Sequence, residues 1–258
     1  MTVRFEIGER LFYLPFVKQQ PLAGSQVHNN AFLVRGDRKS MLIDAGAPSD
    51  SGALMDQLAS LLGPDELDYV FLSHMDMDHI GAVPELLRRY PRMRVVGQMG
   101  NLSRGPLHGI PSERFAVVFG GQTIELGNRA LTVQDGFLAD GPTQWLLDSR
   151  TLTCFTSDAF GVIQFGPPVH FAEELPAEPF TLGFQIWQLI QFTHLPLMDV
   201  TRYRAAVEDL RQRGVRQIAS VHGPVIREDV ARAFELAASL HDVRLPPPPP
   251  IPDTWKLD

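Results

Sequence analysis

The stretch FLSHMDMDHIGAVPELL, residues 71–87, decides how this chain is read. A strand-like apolar run leads into it and a helix-like run leaves it, with His74, Asp76, Asp78 and His79 crowded between. Positions two apart on an extended chain point the same way. His74, Asp76 and Asp78 therefore converge on one side if the chain stays extended out of the strand, and His79 then opens the helix. Donors at i, i+2, i+4 and i+5 exceed what one salt bridge needs. Unpaired, two carboxylates this close repel, and a divalent cation between them removes that cost. The simpler reading, a polar helix start with Asp78 as N-cap, explains one aspartate and not the set.

Strand and helix patterns alternate outward from this turn. Residues 67–73 read as a buried strand, 80–90 as a helix with proline near its start, and 93–98 as a strand. Upstream, Leu54, Leu58, Leu61 and Leu62 share one face of a helix over 51–63 that ends at Gly63-Pro64. HNNAFLVRG (28–36) and SMLIDAG (40–46) predict a hairpin turning at Gly36-Asp37, and residues 2–17 predict two short strands joined at Gly8-Glu9. Downstream, residues 115–157 give short strands divided by Gly120-Gly121, Gly127-Asn128 and Asp140-Gly141. Helical patterns follow at about 181–192 and 199–213, then a strand over 216–224 that ends in a turn, and a last helix over 228–241. The tail LPPPPPIPDTWKLD, residues 245–258, reads as an extended arm. No glycine-rich phosphate loop occurs. The order predicts one α/β domain over residues 1–244, with two packed sheets flanked by helices.

Composition narrows the partners. The 258 residues are 44% hydrophobic and 21% charged, ordinary for a globular chain. A net charge of −7 argues against a nucleic-acid partner. The single cysteine, Cys154, excludes an internal disulfide framework, a cysteine zinc site and a cysteine-ligated cluster. The first residues lack a secretory pattern, and no apolar run approaches the roughly 18 residues of a spanning helix. A cytoplasmic protein without membrane contact is expected.

HMDMDH at a strand end resembles the metallo-β-lactamase superfamily motif His-x-His-x-Asp-His. LIDAG (42–46), FTSDAFG (155–161) and SVHGP (220–224) resemble further pieces of that family in the same order. The acidic third position is similar to the flavodiiron and oxygen-binding diiron branch, which carries glutamate there. The resemblance implies an αββα sandwich of two mixed sheets flanked by helices. It also implies two metal ions: one held by His74 and Asp76, the other by Asp78, His79 and His222, with Asp158 bridging. Asp44 would orient a ligand or brace its loop. A carboxylate-rich shell suits iron, with manganese or zinc as alternatives.

The pattern breaks at one place. The family expects another histidine on the first metal, and in DGFLADGP (135–142) Ala139 stands in its position. Asp140, His28 and His194 are the candidates to replace it, and His28 and His194 are also candidates to line the site; otherwise the first position is weak or empty and one metal does the work. The segment 165–192 has the composition of a core helix and its approach loop. In the family it covers the metals, so Phe180, Phe184, Trp187 and Phe192 are expected to wall a dry apolar pocket. No Lys or Arg occurs over residues 165–201 to meet a highly charged substrate.

Three functions follow. The first is a non-haem diiron protein that binds or reduces dioxygen or nitric oxide, or oxidises a small molecule. With no flavin domain or rubredoxin-type cysteines in these residues, its electron donor would be a separate protein. The second is a zinc-dependent hydrolase of an ester, lactone, thioester or phosphoester, with Asp76 or Asp78 handling the proton. The third is a metal-stabilised binding protein without turnover.

Overall fold

The computed structural model describes residues 3–19, 24–138 and 143–243. Its first sheet contains β1 (Phe5–Gly8) and β2 (Leu11–Leu14); β3 (Val17–Gln19) and β4 (Ser25–His28) leave it for a small separate sheet. The chain returns through β5 (Ala31–Arg35), β6 (Ser40–Ile43), β7 (Tyr69–Phe71), β8 (Arg94–Gly97) and β9 (Phe115–Val117), completing seven strands in the order β1-β2-β5-β6-β7-β8-β9. The second sheet is built from β10 (Thr123–Glu125), β11 (Ala130–Asp135), β12 (Gln144–Asp148) and β13 (Thr153–Phe155). After β14 (Gln164–Phe165) joins the small sheet beside β4, β15 (Gln217–Ala219) closes the second one at five strands. Both large sheets are mixed: β6 to β9 run parallel and β15 runs parallel to β13, while the remaining pairs are antiparallel.

Strand alternation creates three apolar layers. On β5, Phe32 and Val34 face the second sheet with Leu11, Tyr13, Ile43 and Phe71, where they meet Leu131, Val133, Leu146 and Phe155. Leu33 and Leu42, one residue out of phase, join Val70, Leu72 and Val95 on the outer face. That face is covered by α1 (Ser51–Ala59), through Leu54 and Leu58, and by α3 (Val83–Arg89), through Val83 and Leu86. On the outer face of the second sheet, Trp145, Cys154 and Ile218 pack under α5 (Ala177–Gln191), α6 (Val200–Gln212) and α7 (Val230–Ser239). This is the expected αββα sandwich.

The local differences have physical causes. The single helix predicted over 80–90 is divided into α2 (Met77–Ile80) and α3. At the break, Gly81 lies so close to the Ala47–Pro48 backbone that a Cβ would come within 2.1 Å of the Ala47 carbonyl carbon. The small sheet of β3, β4 and β14 and the helix α4 (Met99–Arg104) are not predicted by the sequence pattern. The proline-rich tail lies outside the described residues, as do Ala139 and Asp140. No helix among the described residues is long and apolar enough to cross a membrane.

Candidate metal centre

The strands β6, β7, β13 and β15 end at the same edge of the sandwich, and each delivers part of one cluster. The turn after β7 carries His74, Asp76, Asp78 and His79; the loops after β13 and β15 carry Asp158 and His222. Asp78 does not follow the extended line expected from the sequence. The helix α2 begins at Met77, so Asp78 lies within it, and its N-cap position is taken by Asp76, which makes no side-chain cap bond. The helical turn swings Asp78 to the His222 side: its Oδ2 lies 3.3 Å from His222 Nε2, while Asp76 Oδ2 lies 3.6 Å from His74 Nε2.

Asp158 sits between two groups of donors. Its Oδ1 is 3.0 Å from His79 Nε2 and 3.3 Å from His222 Nε2, and its Oδ2 is 3.7 Å from His74 Nε2. The potential ligand atoms of His74, His79 and Asp158 lie within 4.8 Å of one another, as do those of Asp78, His79 and His222. Among the described residues, His79 Nε2 and Asp158 Oδ1 are buried without a hydrogen bond of good geometry, although the two atoms are close. Two orphaned polar atoms facing a shared space carry a desolvation cost that a cation removes. On that observation, and on the mixture of imidazoles and carboxylates, the residues fit a metal centre.

The opposite ring nitrogen of each histidine is held. His79 Nδ1 lies 3.1 Å from Asp44 Oδ2. His74 Nδ1 lies 3.2 Å from the hydroxyls of both Ser73 and Ser157. His222 Nδ1 lies 3.0 Å from the His28 carbonyl oxygen. All three rings therefore present Nε2 inward. Asp44 also accepts hydrogen bonds from the Ser73 amide and hydroxyl. Asp44 and Ser157 adopt left-handed backbone, at φ 54° and 55°, which costs roughly 1–3 kcal/mol per residue and puts strain where the ring supports are made.

Burial and charge oppose each other here. Burial pulls the His79 imidazole down, but the Asp44 and Asp158 carboxylates outweigh it and hold it well above its ordinary value. Burial raises the Asp158 carboxyl, yet His79 and His222 hold it well below the usual range. The hydrogen bond to His74 lowers Asp76. The side chains of Asp76 and Asp78 are 67% and 42% exposed while that of His79 is fully buried, so the carboxylates form the open side.

The remaining predicted residues are placed differently. The His28 ring is turned toward Gln164, 3.2 Å from its Nδ1, and His170, 3.4 Å from its Nε2; only its carbonyl reaches the cluster. Burial holds the His28 imidazole at about 3, so it is neutral. Both ring nitrogens of His194 are buried without a partner among the described residues, outside either group of donors. Of the expected aromatic lid, Phe180, Phe184 and Phe192 belong to the outer core instead. Trp187 packs tilted against His222, with ring centroids 4.8 Å apart, and donates from Nε1 to the Asp158 carbonyl at 2.8 Å. One turn on, Gln191 Nε2 donates to Asp158 Oδ2 at 2.9 Å. Neither Gln191 nor the serines stand out in the sequence, because a polar side chain at helical spacing reads as solvent-facing until its helix is docked.

The sequence profile described as Metallo-beta-lactamase superfamily matches residues 24–156, about half of the chain. The chain belongs to the metallo-β-lactamase superfamily. Within this superfamily it is similar to the type A flavoprotein fprA of Rhodobacter capsulatus, 35% identical over 138 residues, 51% of this chain and 31% of that one. It is similar also to rubredoxin-oxygen oxidoreductase of Megalodesulfovibrio gigas, 27% identical over 151 residues, 57% of this chain and 37% of that one. The solved structure of rubredoxin oxygen:oxidoreductase from Desulfovibrio gigas superposes with a TM-score of 0.80 at 20% identity, over 93% of this chain and 62% of that one. A fragment of putative diflavin flavoprotein A 5 from Nostoc superposes with a TM-score of 0.76 at 20% identity, over 93% of this chain and 96% of that one. The chain spans between 31% and 49% of the length of the curated relatives it matches. The flavodiiron protein from Giardia intestinalis also superposes, with a TM-score of 0.78 at 19% identity over 94% of this chain and 59% of that one, in line with the branch that the acidic Asp76 led one to expect.

Proposed function

We propose that this protein holds two iron ions and binds or reduces dioxygen or nitric oxide, taking electrons from a separate partner. The observation that carries the reading is the position of the Asp158 carboxylate, with Oδ2 toward His74 and Oδ1 toward His79 and His222. His74 and Asp76 are assigned to the first ion and Asp78, His79 and His222 to the second, bridged by Asp158. The names of the relatives agree in kind, since one is a rubredoxin-oxygen oxidoreductase and another a coenzyme F420H2 oxidase from Methanocaldococcus jannaschii. Two ferrous ions held by His74, Asp76, Asp78, His79, Asp158 and His222 would supply one electron each to a bound diatomic molecule and would be re-reduced by the partner, and the oxygen-rich donors would favour the oxidised state.

The protein's own residues do the rest. The Asp44 carboxylate and the His28 carbonyl can only accept from Nδ1–H of His79 and His222, which turns the Nε2 of each inward as a ligand atom, while the Ser73 and Ser157 hydroxyls orient the His74 ring. His79 and Asp158 form the water-poor floor. Asp76 and Asp78, on the exposed side, are placed to pass protons between solvent and the reacting molecule. Trp187 closes the flank beside His222.

The test is anaerobic reconstitution with ferrous iron, elemental mass spectrometry, and absorption spectroscopy on adding oxygen or nitric oxide. Roughly two irons per chain and a spectral change with either gas support the assignment. Exclusive zinc binding with no response to either gas sinks it and returns the hydrolase reading to the front.

A further inference from the structure

We infer that Gln191 is a ligand of the first metal position, its side-chain oxygen standing in for the histidine that Ala139 cannot provide. The inference rests on the dinuclear reading above and names how its incomplete half is closed.

Among the described residues the first position has fewer donors of its own than the second, because His79, which lies within reach of both groups, is assigned to the second. His74, Asp76 and Asp158 Oδ2 surround it, whereas the second has Asp78, His79, His222 and Asp158 Oδ1. The Gln191 amide lies on the deficient side. It meets Oδ2, the Asp158 oxygen that faces His74, and not Oδ1, which faces the two histidines of the second group.

The helix carrying Gln191 is fixed to the Asp158 loop at three neighbouring points. Trp187 Nε1 donates to the Asp158 carbonyl at 2.8 Å. Gln188 Oε1 accepts from the Phe160 amide at 3.2 Å, and its Nε2 donates to the Gly161 carbonyl at 3.0 Å. Gly161 lets the helix come this close: a Cβ there would lie 2.4 Å from Trp187 Nε1. Trp187 and Gln191 are four residues apart and share a helix face, so the same docking that seats the indole aims the amide.

Gln191 meets the Asp158 carboxylate through its amide NH2. A side-chain amide has two ends of nearly the same shape, a donor and an acceptor. Half a turn about its last bond replaces Nε2 with Oε1 and converts a donor toward Asp158 into a neutral oxygen donor toward a cation beside Asp158. Carbonyl oxygens suit hard divalent ions and serve soft-leaning zinc less well than imidazole does. The first position should therefore bind more weakly than the second and favour zinc over manganese or iron by less than it would with a histidine at position 191.

The test titrates the metal-free 258-residue chain with Mn2+ and then with Zn2+. Bound metal is counted by elemental mass spectrometry, and magnetic coupling between two Mn2+ ions is read by electron paramagnetic resonance. Gln191→Leu should weaken the first position by at least about 10–100-fold, the range for a residue that only orients a ligand, and abolish the coupled signal while leaving one tightly bound ion. Gln191→His should restore two ions and raise zinc affinity. Gln191→Glu separates ligation from mere hydrogen bonding. If position 191 ligates, the carboxylate of that variant would bind the first ion at least as tightly as the native amide. If its task is only to donate to Asp158, the new carboxylate would repel Asp158 and weaken binding. Thermal unfolding of each variant controls for folding, and the histidine and glutamate variants preserve the polar character should the leucine variant misfold. Two coupled ions in Gln191→Leu with unchanged affinity overturn the inference and leave the dinuclear reading intact. A single ion in wild type and in every variant overturns both.

Discussion

Replacing Asp44 with asparagine should cost metal affinity without removing any atom from the cluster. The carboxylate serves two partners. Oδ1 accepts from the Ser73 amide at 2.9 Å, and Oδ2 lies 3.1 Å from His79 Nδ1. Asparagine must keep its single oxygen on the Ser73 amide, which is buried and has to be satisfied. Its NH2 then faces His79 Nδ1. Two donors cannot share that contact, so the ring is driven to the tautomer with its proton on Nε2, the atom required inside the site. Asparagine also tolerates the left-handed backbone at this position, so the fold survives. Lost support of this kind weakens metal binding by about 10–100-fold, or about 1.4–2.8 kcal/mol. A competition titration against a chromophoric chelator measures it, and nitrogen-15 shifts of His79 report the tautomer. Affinity within about twofold of wild type in a folded Asp44→Asn protein would refute the argument and reduce Asp44 to a brace for its loop.

Three further outcomes are expected. Asp148→Asn should destabilise the fold by about 3–5 kcal/mol in urea unfolding, because it strands the buried Arg129 guanidinium that now bonds both carboxylate oxygens. Burial raises the Asp148 carboxyl but Arg129 and Thr151 hold it below its ordinary value, so its contribution is complete above about pH 4 and lost as pH falls through the lower folded value. A loss under about 1 kcal/mol would contradict this, being the size of an exposed pair. His28 gives a separate acid signature: burial depresses it to about 3, so the unfolded chain takes the proton first, and stability declines as pH falls from about 6.5 toward that value. Denaturant unfolding of wild type and His28→Gln should therefore diverge in pH slope below about 6.5, and parallel slopes would count against a neutral buried ring. Gly161→Ala should force Trp187 off the Asp158 carbonyl, costing about 1–3 kcal/mol as an overpacked site and red-shifting tryptophan emission; an unchanged melting temperature and spectrum would show the loop absorbs the extra carbon.

The parts of this molecule legible in the sequence share one property: their pattern is local. Residues 71–87 announce a strand, a donor-rich turn and a helix because periodicity switches within a few positions. The hairpin of β5 and β6 announces itself through alternation and a Gly36-Asp37 turn, and the observed register pairs Arg35 with Ser40 across it. The small sheet is silent for the opposite reason. Ser25–His28 and Val17–Gln19 mix polar and apolar residues, and the Gln26 side chain donates to the carbonyl of Gly166, far along the chain. Asp78 departs from its expected direction because extension ends at Asp76, and nothing in alternating donors marks where a helix takes over. The aromatic lid is only partly realised because a hydrophobic helix does not say which of its faces covers a site. Phe184 turns to Phe160 and Phe180 to Phe184 in the core, while Trp187 and Gln191 turn to Asp158.

The strand β12 leads from one junction between the two halves of the sandwich to another. At its first residue, the Gln144 backbone amide donates to the Ser73 carbonyl, beside the cluster. At its last, Asp148 grips Arg129, whose guanidinium also reaches the Glu9 carbonyl between β1 and β2. One junction is riveted by side chains the protein carries; the other, on the dinuclear reading, is fastened by cations the cell supplies. Metal starvation would then loosen the molecule as a hinge opens, from the cluster end first. Amide exchange should quicken along the ends of β7 and β13 while the Arg129 end stays shut.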